Sequence, residues 1–272
     1  MLYMLGWLKC PASSELAAIM TQSIDLNSDL GESYGAWTMG DDGALLDVVS
    51  SANLACGFHA GDALTMRGTI RKAKQRGVTI GAHVAYPDLQ GFGRRYMDVP
   101  AAQLTADVIY QIGALQALAR AEGAEVAYVK PHGALYNRIA IDPVQAGAVL
   151  EAMKLCAPGM PLVVLAGSAL LGWAKEAGVP TIAEAFADRG VMPDGQLAPR
   201  SYPGAVLTDP EAISQRVIRL VREGTVTAID GSTVSMPAQS ICLHGDTPHA
   251  VEIARAVARS LREAGIAIKA VA

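Results

Sequence analysis

From Ser23 onward, short apolar runs alternate with longer amphipathic stretches, the rhythm of repeated βα units around a mainly parallel sheet. The apolar runs predict seven strands: Ile24–Asp29, Ala52–Cys56, Val78–His83, Val126–Lys130, Pro161–Leu165, Thr181–Ala185 and Ser240–Leu243. Helical periodicity predicts Asp42–Ser50, Leu64–Gln75, Ala101–Glu122, Pro143–Cys156, Ala169–Ala177, Pro210–Glu223 and Pro248–Ala264 between and after them. Gly77, Gly123, Gly178, Gly224 and Gly265 each follow a predicted helix, where a left-handed C-terminal cap favours glycine. Seven such units suit an α/β fold closed into a barrel.

The rhythm breaks between Asp188 and Gly204, where Gly190, Pro193, Gly195, Pro199 and Pro203 crowd among Arg189, Arg200 and Tyr202. This stretch is expected to cross the barrel mouth, where long connections commonly form lids or binding loops. No repeat, low-complexity segment or linker interrupts the chain, so one barrel domain is expected over 23–272. Residues 1–22 read as an N-terminal extension to the barrel, with Met20 as the expected natural start. Their apolar patch (Leu2, Tyr3, Met4, Leu5, Trp7, Leu8) has no basic region before it and no clean cleavage site after it. No stretch reaches the roughly 18–20 apolar residues of a membrane span.

The first strand carries the most informative pattern. Side chains alternate faces along a strand, so Asp25, Asn27 and Asp29 share one face while Ile24, Leu26 and Leu30 share the other. On a solvent-facing edge strand such a face is ordinary. Inside a barrel, carboxylates persist only when paired, hydrogen-bonded or bound to something. The continuation, Gly31-Glu32-Ser33-Tyr34-Gly35, is built like a site loop.

Composition narrows the partners. With 272 residues, 51% hydrophobic and 18% charged, the chain can bury a large core. A net charge of −4 without any Lys/Arg cluster argues against nucleic acid and for a small-molecule substrate. Cys10, Cys56, Cys156 and Cys242 lie far apart with no C-x-x-C pair, which argues against a disulfide framework or a thiolate zinc cluster and fits a reducing cytoplasm.

Four of the five histidines, His59, His83, His132 and His244, fall at or just beyond the C-terminal end of a predicted strand. Parallel α/β folds build their sites at that end, so these side chains are expected to converge. A single histidine there is ordinarily a hydrogen-bonded structural residue, and His249 is read as one. His59 lies among Gly57, Gly61 and Asp62, and Asp62 either caps the following helix or faces the site. His83 precedes Tyr86, Asp88 and the run Gly91-Phe92-Gly93-Arg94-Arg95, a fragment of a phosphate loop lacking its strand. Lys130-Pro131-His132 sets a cation beside an imidazole, followed by Tyr136 and Asn137, and His244-Gly245-Asp246 follows the last strand.

Taken together, Asp25 to Glu32, Asn53 to Asp62, Gly81-Ala82-His83, Lys130 to Asn137, Glu184 to Arg189 and Cys242 to Asp246 resemble the signature blocks of the LamB/YcsF family, the 5-oxoprolinase A subunits. The resemblance spans about Ile24 to the C-terminal helix. It implies a seven-stranded (β/α) barrel of the glycoside hydrolase/deacetylase kind and ATP-dependent opening of 5-oxoproline to L-glutamate together with B and C subunits. One departure is Val84-Ala85, where the family places Pro-Ser or Pro-Gly.

No G-x-x-x-x-G-K-[ST] run occurs, so ATP is expected to be handled by partner subunits, with this chain adding water to the activated ring. Candidate catalytic residues are Asp25, Asn27, Asp29, His59 and His132, four of them possible general bases and Asn27 beside them on the polar strand face. Candidate substrate-binding residues are Glu32, Asp62, His83, Lys130, Tyr136, Asn137, Arg189, His244 and Asp246, with Lys130 and Arg189 expected to hold a carboxylate or phosphate. Three other readings stay open: a divalent-metal-dependent deacetylase-like hydrolase using Asp and His ligands, cysteine catalysis by Cys56 beside His59, and a non-catalytic binding subunit.

Overall fold

The computed structural model describes residues 22–246 and 249–272. The elements run β1 (Ser23–Leu30), α1 (Asp42–Leu46), β2 (Ser51–Ala55), α2 (Ala63–Arg76), β3 (Thr79–His83), α3 (Ala101–Ala121), β4 (Val126–Val129), α4 (Gly133–Ile139), α5 (Pro143–Cys156) and β5 (Leu162–Leu165). They continue with α6 (Leu170–Ala177), β6 (Thr181–Phe186), α7 (Pro210–Glu223), β7 (Thr225–Thr227), β8 (Thr233–Ser235), β9 (Ser240–Leu243), α8 (Ala250–Glu263) and β10 (Ala267–Ile268). Seven parallel strands, in the order β1-β2-β3-β4-β5-β6-β9, close into a barrel through pairing of β9 with β1. The short β10 adds to the lower end of β1, and β7–β8 form a separate antiparallel hairpin.

All seven predicted strands are present within a residue or two. The first helix is shorter than its apolar pattern because Val48 and Val49 are already turning into β2, and Ser50 bonds Asp25 and the backbone of Leu26. Three features are absent from the sequence reading: the short α4, the β7–β8 hairpin whose turn is marked by Asp230-Gly231, and the two-residue β10. The expected N-terminal extension lies outside the described residues apart from Gln22, as does Pro248 of the last predicted helix. The five capping glycines all have positive φ, between 64° and 75°.

Alternation decides what fills the barrel. The outward residues Ile24, Leu26 and Leu30 of β1 join the large apolar layer between strands and helices. The inward residues Asp25, Asn27 and Asp29 are all buried. Opposite them, Tyr128, Val163 and Ile182 form a small apolar cluster. The Tyr128 ring reaches across to donate its hydroxyl hydrogen to Asn53 Oδ1 at 2.7 Å. It passes so close to Gly81 that a Cβ there would lie 2.1 Å from a ring carbon. Gly81→Ala is therefore expected to push Tyr128 aside and destabilise the protein by about 1–3 kcal/mol, the usual range for overpacking. Urea unfolding checks this, and an unchanged midpoint would contradict it.

Candidate active site

The site is a ladder of side chains rising through the barrel to the C-terminal ends of the strands. At its foot Asp25 accepts hydrogen bonds from Ser50 and Ser51 at 2.6 and 2.7 Å and from Ser240 at 2.5 Å. Burial raises its pKa, against the lowering effect of those serines. Asp25 lies near the C-terminal Ala272, at the closed end of the barrel, and does not line the mouth. Its expected catalytic role has no geometric basis there. One rung up, Asn27 donates to Glu184 Oε1 and Ser240 Oγ, both at 2.7 Å, and accepts from Asn53. Asn27 thus orders the layer beneath the site.

Lys130 occupies the centre. Its Nζ lies 3.0 Å from Asn27 Oδ1, 3.2 Å from Asp29 Oδ1, 2.9 Å from Glu184 Oε1 and 2.9 Å from Cys242 Sγ. Burial alone would lower its pKa, but Asp29, Cys242 and Glu184 raise it well above the ordinary lysine value. An ammonium has three hydrogens, and four acceptors already compete for them. The Lys130 ammonium, expected to hold a substrate carboxylate or phosphate, is thus already committed within the barrel. Asp29 Oδ1 accepts from Asn53 at 2.9 Å as well as from Lys130, and lies 3.3 Å from His83 Nε2. Burial would raise the Asp29 carboxyl, but His83 and Lys130 hold it well below the usual carboxylate range. It stays ionised at physiological pH.

Above Asp29 stand three histidines and a carboxyl. His83 ends β3, His132 precedes α4, His59 lies in the β2–α2 loop and Glu32 follows β1. His83 Nε2 and His132 Nδ1 are 2.9 Å apart, and Glu32 Oε1 lies 3.2 Å from His59 Nε2 and 3.6 Å from His132 Nδ1. Burial, together with the neighbouring imidazoles, pushes His59 and His132 well below the usual histidine pKa. Burial and the charges of Asp29 and Asp246 push Glu32 up. The glycine-rich run noted in the sequence closes over this group. Phe92 takes the unusual φ of 53°, which turns its carbonyl to His132 Nε2 at 2.9 Å. Gly93 packs so tightly that a Cβ would meet His132 at 2.7 Å. Asp88 anchors the loop by accepting from Gly91 and pairing with Arg95. The departure at Val84-Ala85 is accommodated: the Gln111 side chain bonds both backbone groups of Ala85, and His132 N–H donates to Val84 O.

The mouth is a cavity of about 680 Å³ lined by Asp29, His83, Lys130, His132, Tyr136, Asn137, Arg189 and His244, together with Arg94 and Arg200. The loop after β6 forms one wall through Gln196 to Arg200, as the sequence predicted. Arg189 is buried there, its guanidinium donating to the carbonyls of Ala205 and Ala198. Burial and the nearby Arg200 lower its pKa to about 10. Arg94 pairs with Asp246 at 2.6 Å, and Arg200 comes within 4.0 Å of the same carboxylate. His244 contacts Asp188 at 2.9 Å and stacks on Phe186. The buried Tyr136 hydroxyl faces Glu184, and burial together with that carboxylate pushes its pKa well above the ordinary tyrosine value.

Two expectations resolve differently. Asp62 accepts from Leu64 N, Thr65 N and Gly35 N, so it caps α2 and does not line the cavity. Cys56 bonds the Leu54 carbonyl, and burial pushes its thiol up to about 12, which removes it as a nucleophile. Residues of the ladder and the mouth not singled out in the sequence are Glu184, Asn53, Tyr128, Arg94 and Arg200. Glu184 had a signal: one carboxylate on the inward face of an otherwise apolar strand.

A closed parallel barrel with titratable groups from several strands converging at its C-terminal mouth is the architecture of a (β/α)-barrel enzyme. More specifically, the chain belongs to the LamB/YcsF family, which it matches over residues 24–272. It is 61% identical over 246 residues, 90% of this chain and 98% of the other, to the 5-oxoprolinase A-type subunit of Paracidovorax citrulli. It superposes on a lactam utilization protein from Thermus thermophilus with a TM-score of 0.87 and 48% identity, covering 92% of this chain and all of that one. A family 4 carbohydrate esterase from Streptomyces lividans shares the fold at 12% identity and a TM-score of 0.51, covering 92% of this chain and 93% of that one.

Proposed function

We propose that this chain opens the lactam ring of 5-oxoproline to L-glutamate as the A-type component of an ATP-dependent 5-oxoprolinase, working with B and C subunits. The observation that carries the reading is the mouth itself. It joins an ionised carboxylate, Asp29, to three guanidinium groups, Arg94, Arg189 and Arg200, in a cavity large enough for a small cyclic amide. The relatives' names agree with a lactam substrate.

Guanidinium groups recognise carboxylates and phosphates through paired hydrogen bonds. Here they would hold the carboxylate of 5-oxoproline and, if the lactam oxygen is first phosphorylated, the phosphate. Asp29 has Oδ1 fixed by Asn53 and Lys130. Its other oxygen is the proposed acceptor of a proton from water. Water then adds to the phosphorylated ring carbon and the C–N bond breaks as the ring nitrogen takes up the proton held by Asp29, leaving an acyl phosphate that a second water hydrolyses to L-glutamate and inorganic phosphate. The chain's lack of a phosphate-binding glycine loop supports assigning ATP to the partner subunits. The free thiols of Cys56, Cys156 and Cys242 support a reducing cytoplasmic setting, and no described helix is long and apolar enough to cross a membrane.

Substrate choice tests this reading. With partner subunits and ATP present, 5-oxoproline is expected to be opened, whereas 2-pyrrolidinone, the same ring without the carboxylate, should react at least about 10²-fold more slowly. Equal turnover of the two would remove the guanidinium groups from recognition.

A further inference from the structure

Hydrogen-bond accounting at the histidine cluster leaves a gap that a cation must fill. His83 Nδ1 lies 2.9 Å from the Lys130 carbonyl oxygen, and His132 Nε2 lies 2.9 Å from the Phe92 carbonyl oxygen. Carbonyls only accept, so both of these ring nitrogens carry hydrogen. In neutral rings the remaining nitrogens, His83 Nε2 and His132 Nδ1, hold lone pairs, and they face each other across 2.9 Å. Two facing lone pairs are stable only with a positive centre between or beside them: one extra proton on His83 Nε2, which also lies 3.3 Å from the Asp29 carboxylate, or a metal ion.

The surroundings favour the metal. One donor atom each from Glu32, His59, His83 and His132 lies within 4.8 Å of the others, and all four residues are buried. The individual separations of 2.9, 3.2 and 3.6 Å bracket the roughly 3.3 Å edge of a tetrahedron with metal–ligand bonds of about 2.0–2.1 Å. Carbonyl hydrogen bonds on the outer nitrogens of His83 and His132 are the arrangement that orients metal-bound imidazoles. Among the described residues, no lysine or arginine forms an ion pair with Glu32 to occupy the same space. The neighbouring group of Asp29, Cys242 and His244 differs in this respect, because the Lys130 ammonium already lies against Asp29 and Cys242.

We propose that Glu32, His59, His83 and His132 bind one first-row divalent metal ion of the zinc type at the floor of the cavity. Three imidazoles and one carboxylate suit zinc, cobalt or ferrous ions far better than magnesium or calcium. His59 is stacked on His132 with centroids 3.9 Å apart, and its Nε2, 3.2 Å from Glu32 Oε1, is the atom it offers to the set. Among the described residues its Nδ1 is buried without a hydrogen-bond partner, so no bond at that atom holds the ring against small adjustments. Such an ion would supply Lewis acidity beside Asp29, whose Oδ1 is 3.3 Å from His83 Nε2. The assignment rests on these side chains alone, and stands or falls separately from the lactam reading.

The test is zinc titration of the untagged, chelator-stripped and dialysed chain by calorimetry, followed by cobalt substitution. The expected result is one zinc ion per chain, and intense visible cobalt bands of a four-coordinate nitrogen and oxygen site. Glu32→Gln and His132→Ala should each weaken zinc binding by about tenfold or more, with circular dichroism and thermal melting reporting that the variants fold. The nearly isosteric Glu32→Gln keeps the test valid if His132→Ala misfolds. The proposal is overturned if folded wild-type protein takes up no stoichiometric zinc, which leaves a shared proton as the cation. It is equally overturned if uptake is unchanged in the folded variants.

Discussion

Lys130→Met is expected to unfold far more readily than the wild type, by about 3–5 kcal/mol, and to form no measurable glutamate in the reconstituted enzyme. The Lys130 side chain is only 2% exposed, and its partners Asp29 and Glu184 are 8% and 0% exposed. Removing the ammonium leaves two carboxylates in the barrel interior without the charge that offsets their desolvation. Glu184 is the more sensitive of the two in energetic terms, because its side chain is 0% exposed. The apolar replacement also removes the Nζ contact of Cys242 Sγ and one of the two hydrogen bonds accepted by Asn27 Oδ1, which keeps Asn53. A second change, Glu184→Gln, should restore part of the stability, since it removes one of the two uncompensated charges. Urea unfolding of the single and double variants checks this. A single variant within about 1 kcal/mol of wild type would show that the buried charges are not coupled as described.

Asp29→Asn separates chemistry from architecture. Asparagine has the same shape and keeps an oxygen that can accept from Asn53 and Lys130, both of which now bond Oδ1. Lys130 also retains Glu184. The stability loss should therefore be clearly smaller than for Lys130→Met. Turnover should fall by about 10²–10⁴, the usual contribution of a positioned general base, while KM for 5-oxoproline changes little because the guanidinium groups are untouched. Near-normal kcat in Asp29→Asn would move the base elsewhere in the mouth.

The strands were legible because a barrel strand is a short apolar or alternating run set between longer amphipathic stretches, and each of the seven runs met those conditions. The β1 alternation also correctly placed Asp25, Asn27 and Asp29 indoors. Depth along the barrel was invisible, because three residues on one face of one strand span from the closed end to the mouth. Thus Asp25 reads like Asp29 in sequence but sits among serines far from the cavity. The convergence of His59, His83 and His132 followed from their positions at strand ends. Their nitrogen-to-nitrogen contacts depend on loop conformation, above all the positive φ of Phe92, and no sequence pattern specifies that. Arg94 and Arg200 were quoted only within loops, since an arginine in a polar loop looks alike whether it faces solvent or a cavity. Asp62 had two readings, and the backbone donors of Gly35, Leu64 and Thr65 select capping.

Glutamate release from 5-oxoproline and ATP, followed for this chain alone, for its B and C partners alone and for the reconstituted mixture, tests the central claim most directly. The account predicts glutamate only in the mixture, and its loss when the chain carries Asp29→Asn. No glutamate from any of the three combinations, with the partners correctly assembled, would contradict the lactam-opening assignment and bring a metal-dependent deacetylase-like hydrolase to the front.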